Sequence, residues 1–155
     1  MTGPAGFPDD VVEQINAHLG GFNRALGLRF VQASPDELVA ELTVEEHHRQ
    51  PYGLVHGGVY AAMIETLCST GAALNVMARG HSAVGLENST SFLRAAREGR
   101  LRCTARPLTM GRRSHVWEAQ VHDGDGRLVA SGRVRLLVLE AGAEAAGARV
   151  EVVED

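Results

Sequence analysis

The stretch Gln50–Thr70, QPYGLVHGGVYAAMIETLCST, decides how this chain is read. From His56 the pattern is helical and runs on to Ala78, with Gly80 placed as a left-handed stop just beyond. Apolar residues cover most of its circumference: Val59, Met63, Leu67, Leu74 and Met77 on one side, Tyr60, Ile64 and Cys68 on another. A helix of that kind is one the rest of the fold wraps. Two features do not suit simple packing. Gly57 and Gly58 are poor helix formers standing where the helix begins. There they let a ligand atom approach free main-chain N–H groups, and the N-terminal dipole favours developing negative charge, as on a polarised carbonyl oxygen. The second feature is Glu65, a carboxylate among Ala, Met, Ile and Leu. It shares a face with Ser69, four residues on, and with the small residues Gly58, Ala62 and Ala72. An ion pair with an arginine is the bland alternative for Glu65, and a ligand-free entry turn the bland one for the glycines. Gly57 and Glu65 are about 12 Å apart along a helix axis. If both serve one site, the glutamate comes from a second subunit whose helix lies antiparallel to the first.

Outward from the helix, Asp9–Leu19 has Val11, Val12, Ile15 and Leu19 on one side and acids at its start, a short helix ended by Gly20-Gly21. Leu28–Ala33 and Glu37–Val44 read as strands around Ser34-Pro35-Asp36. Beyond the long helix come four strand-like segments: Ser82–Leu93, Arg100–Leu108, Ser114–His122 and Leu128–Leu139. Leu101, Cys103 and Ala105 alternate with Arg102, Thr104 and Arg106, the period of a half-buried strand. Asp123-Gly124-Asp125-Gly126 is a hairpin turn. This order predicts an α+β fold in which an antiparallel sheet is wrapped around one long central helix, with a short N-terminal helix. Residues 1–140 form a single domain, and 141–155 a low-complexity tail expected to lack order. The edge strands and the uncovered sheet face invite self-association.

At 155 residues, with 45% hydrophobic and 22% charged residues, the chain has the composition of a globular domain. No apolar run approaches the roughly 20 residues of a spanning helix, and the start MTGPAGFPDD has no export signal. Cys68 and Cys103 have no CxxC spacing, which predicts neither a disulfide scaffold nor structural zinc and fits a reducing cytoplasm. A metal site from His47, His48, His56 and His81 has loose spacing and is disfavoured. Cys68 as a nucleophile lacks an orienting histidine and reads better as packing. The net charge of −4 argues against wholesale nucleic-acid binding, although seven arginines and one acid, Glu98, lie between Arg94 and Arg113.

Gln50, then His56-Gly57-Gly58, then Glu65 and Ser69, together with the run AVGLENSTSFLRAAREGRLRCTARPLTMGRRSHVWEAQVHDGDGRLVASGRV, resemble the signature of the hotdog-fold acyl-CoA thioesterases of the PaaI type. These include 4-hydroxybenzoyl-CoA and 1,4-dihydroxy-2-naphthoyl-CoA thioesterases, and the likeness spans Leu26 to Leu139. The resemblance implies active sites at a dimer interface, in dimers or dimer-of-dimers tetramers. It implies that the Gly57 amide and Gln50 side chain hold the thioester carbonyl, with His56 beside the sulfur. Glu65 of the other chain is then nucleophile or general base, positioned with its water by Ser69. The substrate is an acyl-CoA, aryl or medium-chain; coenzyme A enters as part of it, and no cofactor or metal is required. Gly58 and Phe92 would line the acyl site, where some relatives have histidine at the Phe92 position; a core role for Phe92 stays open. Arg97, Arg100, Arg102, Arg112 and Arg113 are candidates for the coenzyme A phosphates, with Gly111-Arg112-Arg113 favoured for its glycine turn. Competing readings are a hotdog enoyl-CoA hydratase or dehydratase, which lacks its His-Phe-Pro type loop here, and a dimer that binds acyl-CoA without turnover.

Overall fold

A computed structural model describes residues 6–153; the first five and last two positions, part of the domain and tail expectations, lie outside the described residues. Two short helices come first, α1 (Val11–Ala17) and α2 (Gly20–Leu26). The second corrects the expectation that Gly20-Gly21 only ends a helix. Gly20 adopts φ +74°, which turns the chain by a conformation open to glycine, and a new helix starts at once. Asn23 holds it in place, donating from Nδ2 to the Leu19 carbonyl at 2.9 Å and accepting from Thr66 Oγ1 of the long helix at 2.8 Å.

Strands β1 (Arg29–Ser34) and β2 (Glu37–Thr43) come next, then a 3-10 turn at Glu46–His48 and the long helix α3 (Gly57–Met77). Four strands complete the sheet: β3 (Ser82–Phe92), β4 (Arg100–Met110), β5 (Ser114–His122) and β6 (Leu128–Leu139). All pairings are antiparallel, in the order β1-β2-β4-β5-β6-β3, so β1 and β3 are the edges. The sheet curls around α3, the hotdog arrangement. Beyond β6, the segment read as low-complexity carries a small hairpin, β7 (Glu144–Ala145) and β8 (Ala148–Arg149). Ser82 Oγ donates to the Val150 carbonyl just after it.

The core lies between the inner sheet face and one side of α3. Met63, Ile64, Leu67 and Cys68 meet Leu38, Leu101, Trp117 and Leu136, all fully buried. Each large apolar side chain taken from water there stabilises the fold by about 1.5–3 kcal/mol. Gly71 is required: a Cβ would come within 2.6 Å of the Trp117 ring. Ala72, expected on the open small-residue face, is fully buried in this core. His115 is buried as well, and burial, followed by the nearby Arg79 charge, holds its imidazole below the usual range. The opposite sheet face is polar, with Glu41 accepting from Arg102 at 2.7 Å and facing Arg100 at 3.3 Å.

The β3–β6 ladder is irregular near the middle of α3. Gly85 pairs with Leu136, but Glu87 pairs with Arg135, so Leu86 is an extra, bulged residue. Helix α3 runs antiparallel to β3, its start near Phe92 and its middle near Gly85.

Candidate active site

The first turn of α3 is built by the loop before it. Gln50 N–H donates to the Leu54 carbonyl at 2.8 Å and Gly53 N–H to the Gln50 carbonyl at 2.9 Å, closing a tight turn. Arg97 secures this turn by donating from Nη1 to the Tyr52 carbonyl at 3.0 Å. His48, whose ring accepts from Glu45 N–H and contacts the Leu26 carbonyl at 2.7 Å, is a buried structural residue. Its carbonyl accepts from His56 N–H at 2.8 Å, which sets where α3 begins.

His56 caps the helix. Its Nδ1 accepts from Gly58 N–H at 2.8 Å, so the Gly58 amide is engaged and Nε2 carries the proton of a neutral ring. Gly57 N–H has no protein acceptor among the described residues and is the donor left at this helix start. Gln50 Oε1 accepts from Tyr52 N–H, which leaves the amide NH₂ as a second donor. Both residues line one cleft of about 330 Å³ with Tyr60, Phe92 and Leu93. Phe92 is no core residue, at 59% exposure. Its ring lies over Gly57, where any Cβ would come within 3.0 Å of three ring atoms. Tyr60 lies beneath it, centroids 6.1 Å apart, and burial pushes its phenol above the usual range.

Glu65 stands two turns further along. Ser69 Oγ donates to its Oε1 at 3.1 Å, and Asn88 Nδ2 of β3 donates to its Oε2 at 3.1 Å. The carboxylate fits against β3 only because Gly85 has no side chain; a Cβ there would collide with Oε1. Both partners are neutral donors, and Glu65 forms no salt bridge among the described residues. Cys68, one turn on, is buried, and burial followed by the Glu65 charge pushes its thiol up, away from thiolate chemistry.

The structure brings Gln50, His56, Gly57 and Phe92 together, and separately Glu65 and Ser69. Within one chain it brings none of Arg100, Arg102, Arg112 and Arg113 to the cleft, whose lining does include Arg94. Arg100 and Arg102 face Glu41 on the outer sheet surface. Gly111, Arg112 and Arg113 form the exposed β4–β5 turn. That turn lies level with Leu137, whereas Phe92 lies level with Ala130. Seven strand residues separate the two levels, roughly 23 Å at 3.3 Å per residue. Sequence reasoning does not single out Gly85, Asn88 or Tyr60 as site residues. The glycine inside a strand run is the one available signal. Among the described residues no three His, Cys, Asp or Glu gather as a metal site, and no helix is long and apolar enough to cross a membrane.

A hotdog fold with hydrogen-bond donors at the helix start and a seated carboxylate suits an enzyme that acts on an activated carbonyl. Comparison with known proteins narrows the class. The family model described as "Thioesterase superfamily" matches residues 52–130. The Mycobacterium tuberculosis protein Rv1847, provisionally named an esterase, is 44% identical over 122 residues, 77% of this chain and 87% of that protein. The 1,4-dihydroxy-2-naphthoyl-CoA hydrolase of Escherichia coli is 36% identical over 74% of this chain and 83% of its own length. Among solved structures, a mutant thioesterase PA1618 of Pseudomonas aeruginosa aligns with a TM-score of 0.79 at 33% identity, covering 85% of this chain and 94% of that one. The chain belongs to the thioesterase superfamily and is a thioester hydrolase.

Proposed function

We propose that the protein hydrolyses acyl-CoA thioesters at sites each completed by two copies of the chain. The observation that carries this is the separation within α3: the donor-lined cleft at Gly57 and the carboxylate of Glu65 stand eight residues, about 12 Å, apart on one rigid helix. One carbonyl cannot meet both in a single chain. The β3 edge supplies the means of pairing. It is eleven residues long, contains neither proline nor lysine, and exposes Leu86 and Phe92. Such an edge accepts another strand. Antiparallel pairing of two β3 strands sets the Gly85 end of one chain beside the Phe92 end of the other. Glu65 of one copy then approaches Gly57 of its neighbour, and Arg112 and Arg113 move to the same end of the assembly. The unit is a dimer, or two such dimers joined.

In this reading the thioester oxygen accepts from Gly57 N–H and the Gln50 amide, which favours the oxyanion as it forms. Glu65, aimed by Ser69, either attacks the carbonyl carbon, giving an anhydride that water opens, or takes a proton from the attacking water. His56 Nε2–H faces the departing sulfur. Thiolate is a tolerable leaving group at neutral pH, so water is the only co-reactant. The Phe92 and Tyr60 rings favour an aryl or medium-length acyl group, with arginines at the rim for the phosphates. Two free, buried cysteines accord with a cytoplasmic setting.

Thiol release from benzoyl-CoA and hexanoyl-CoA tests this, with Glu65→Gln and a Gly57→Val chain each expected to be inactive. Unfolding the two variants together and refolding them should restore about a quarter of parental activity, because half the dimers are mixed and each has one intact site. No recovery in demonstrably mixed dimers overturns the shared site. Single-turnover hydrolysis in heavy-oxygen water separates the two routes, since label enters Glu65 only if it attacks.

A further inference from the structure

We infer that Thr90 and Asn88 of β3 form a positioning relay for the Glu65 carboxylate, with Gly132 of β6 making the space that Thr90 needs. The inference deepens the proposed function and rests on Glu65 being the reacting carboxylate. Asn88 Nδ2 divides its hydrogens between Glu65 Oε2 and the Ala61 carbonyl, each at 3.1 Å. Its Oδ1 accepts from Thr90 Oγ1 at 2.6 Å. All three contacts require the same amide orientation. A flipped Asn88 would set its oxygen against two acceptors, Glu65 Oε2 and the Ala61 carbonyl, so these two fix the amide. Thr90 then anchors the Oδ1 that this orientation presents to it and steadies the amide against the carboxylate.

The Thr90 hydroxyl is recessed into the sheet opposite Gly132, its cross-strand partner; a Cβ at Gly132 would lie 2.6 Å from Thr90 Oγ1. The hold on Glu65 is thus double and comes from two elements. Ser69 fixes Oε1 from within the helix, and Asn88 fixes Oε2 from the strand. Two donors on separate supports set the plane of the carboxylate, and a small error in that plane is costly for a group that must align with a carbonyl carbon or a water. Ala61 is four residues before Glu65, so the relay is anchored to the turn that carries its target. Asn88 and Thr90 act through Glu65 and touch no substrate.

The test uses the full chain and thiol release from benzoyl-CoA and hexanoyl-CoA. Thr90→Val keeps the shape and removes the donor; kcat should fall about tenfold with KM within about twofold of the parent. Thr90→Ser should rescue most of the loss. Asn88→Ala should lose at least as much, and adding Thr90→Val to it should cost nothing more. Parental kcat in Thr90→Val, or additive losses in the double variant, overturns the relay. Should Thr90→Val not fold, Gly132→Ala displaces the same hydroxyl and carries the same expectation. If Glu65→Gln retains turnover, the functional reading fails; if it loses turnover while the relay variants match the parent, only the relay fails. Crystal structures of Thr90→Val and Asn88→Ala give a readout independent of turnover. A displaced or split Glu65 carboxylate supports the relay, and one unmoved in both refutes it.

Discussion

At the first turn of α3 the groups offered to a ligand are donors: the Gly57 N–H, left bare by the missing side chain, and the Gln50 amide. Two turns along, the group offered is one carboxylate, gripped by Ser69 and Asn88 and seated on Gly85. The first half depends on what is absent, a Cβ and a fourth-residue acceptor; the second depends on what is present. A main-chain donor has no substitute of similar shape, so the first half is brittle toward bulk. The carboxylate half has several adjustable supports, and losing any one of them should degrade it in steps.

The largest expected effect is on the carboxylate itself. Glu65→Gln keeps the shape and removes the base or nucleophile, and kcat should drop by about 10²–10⁴-fold in a thiol-release assay. Next comes Gly57→Ala, where the new methyl meets the Phe92 ring. The ring is exposed and can swing aside, so kcat/KM should fall about tenfold, by loss of about 1.4 kcal/mol of transition-state stabilisation. Adding Phe92→Ala should recover part of it. No recovery would mean that the donor, not the ring, is what the methyl obstructs. Ser69→Ala removes one of two donors to Glu65 and should cost about 1 kcal/mol, a several-fold loss in kcat. A loss as large as that of Glu65→Gln would show the halves to be equally brittle.

The smallest effect concerns stability and should be indifferent to both halves. Burial holds the His115 imidazole below its ordinary value near 6.5. As pH falls, the unfolded chain therefore takes up the proton before the folded one. The stability this histidine leaves intact above about pH 6.5 is lost on acidification toward its folded value. Thermal melts should show Tm falling between about pH 7 and pH 5.5, with a shallower slope in His115→Gln.

Much of this is legible in the sequence wherever the signal is local. The Glu65–Ser69 contact comes from a spacing of four on a helix, and the start of the helix from the glycines after His56. The strands can be read to within two residues of their ends because alternation is written in the strand itself. The features that escape depend on how one element registers against another. Asn88 is 23 residues from Glu65 and meets it only because α3 crosses β3 at a particular height. Phe92 reads equally as core or cleft, and only that same registration lays its ring on Gly57. Arg97 reads as a phosphate ligand, yet it ties down the Tyr52 turn. The second helix is hidden by Gly20-Gly21, since a glycine pair marks a change of direction without specifying the element beyond it.

The bulge at Leu86 also governs which way the later residues of β3 point. In a regular strand, residues three apart point to opposite sides, so Gly85 and Asn88 could not both meet the same helix. The extra residue resets the alternation between them, and that is why one carboxylate finds a bare seat and an amide donor on a single strand. Were Leu86 instead to take a ladder position of its own opposite Arg135, no atom that touches Glu65 would be lost, yet Asn88 would turn outward and Glu87 would turn in. Two acids would then stand face to face across the helix, and the strand would be silenced by a change of frame with every letter of its grip on the carboxylate still in place.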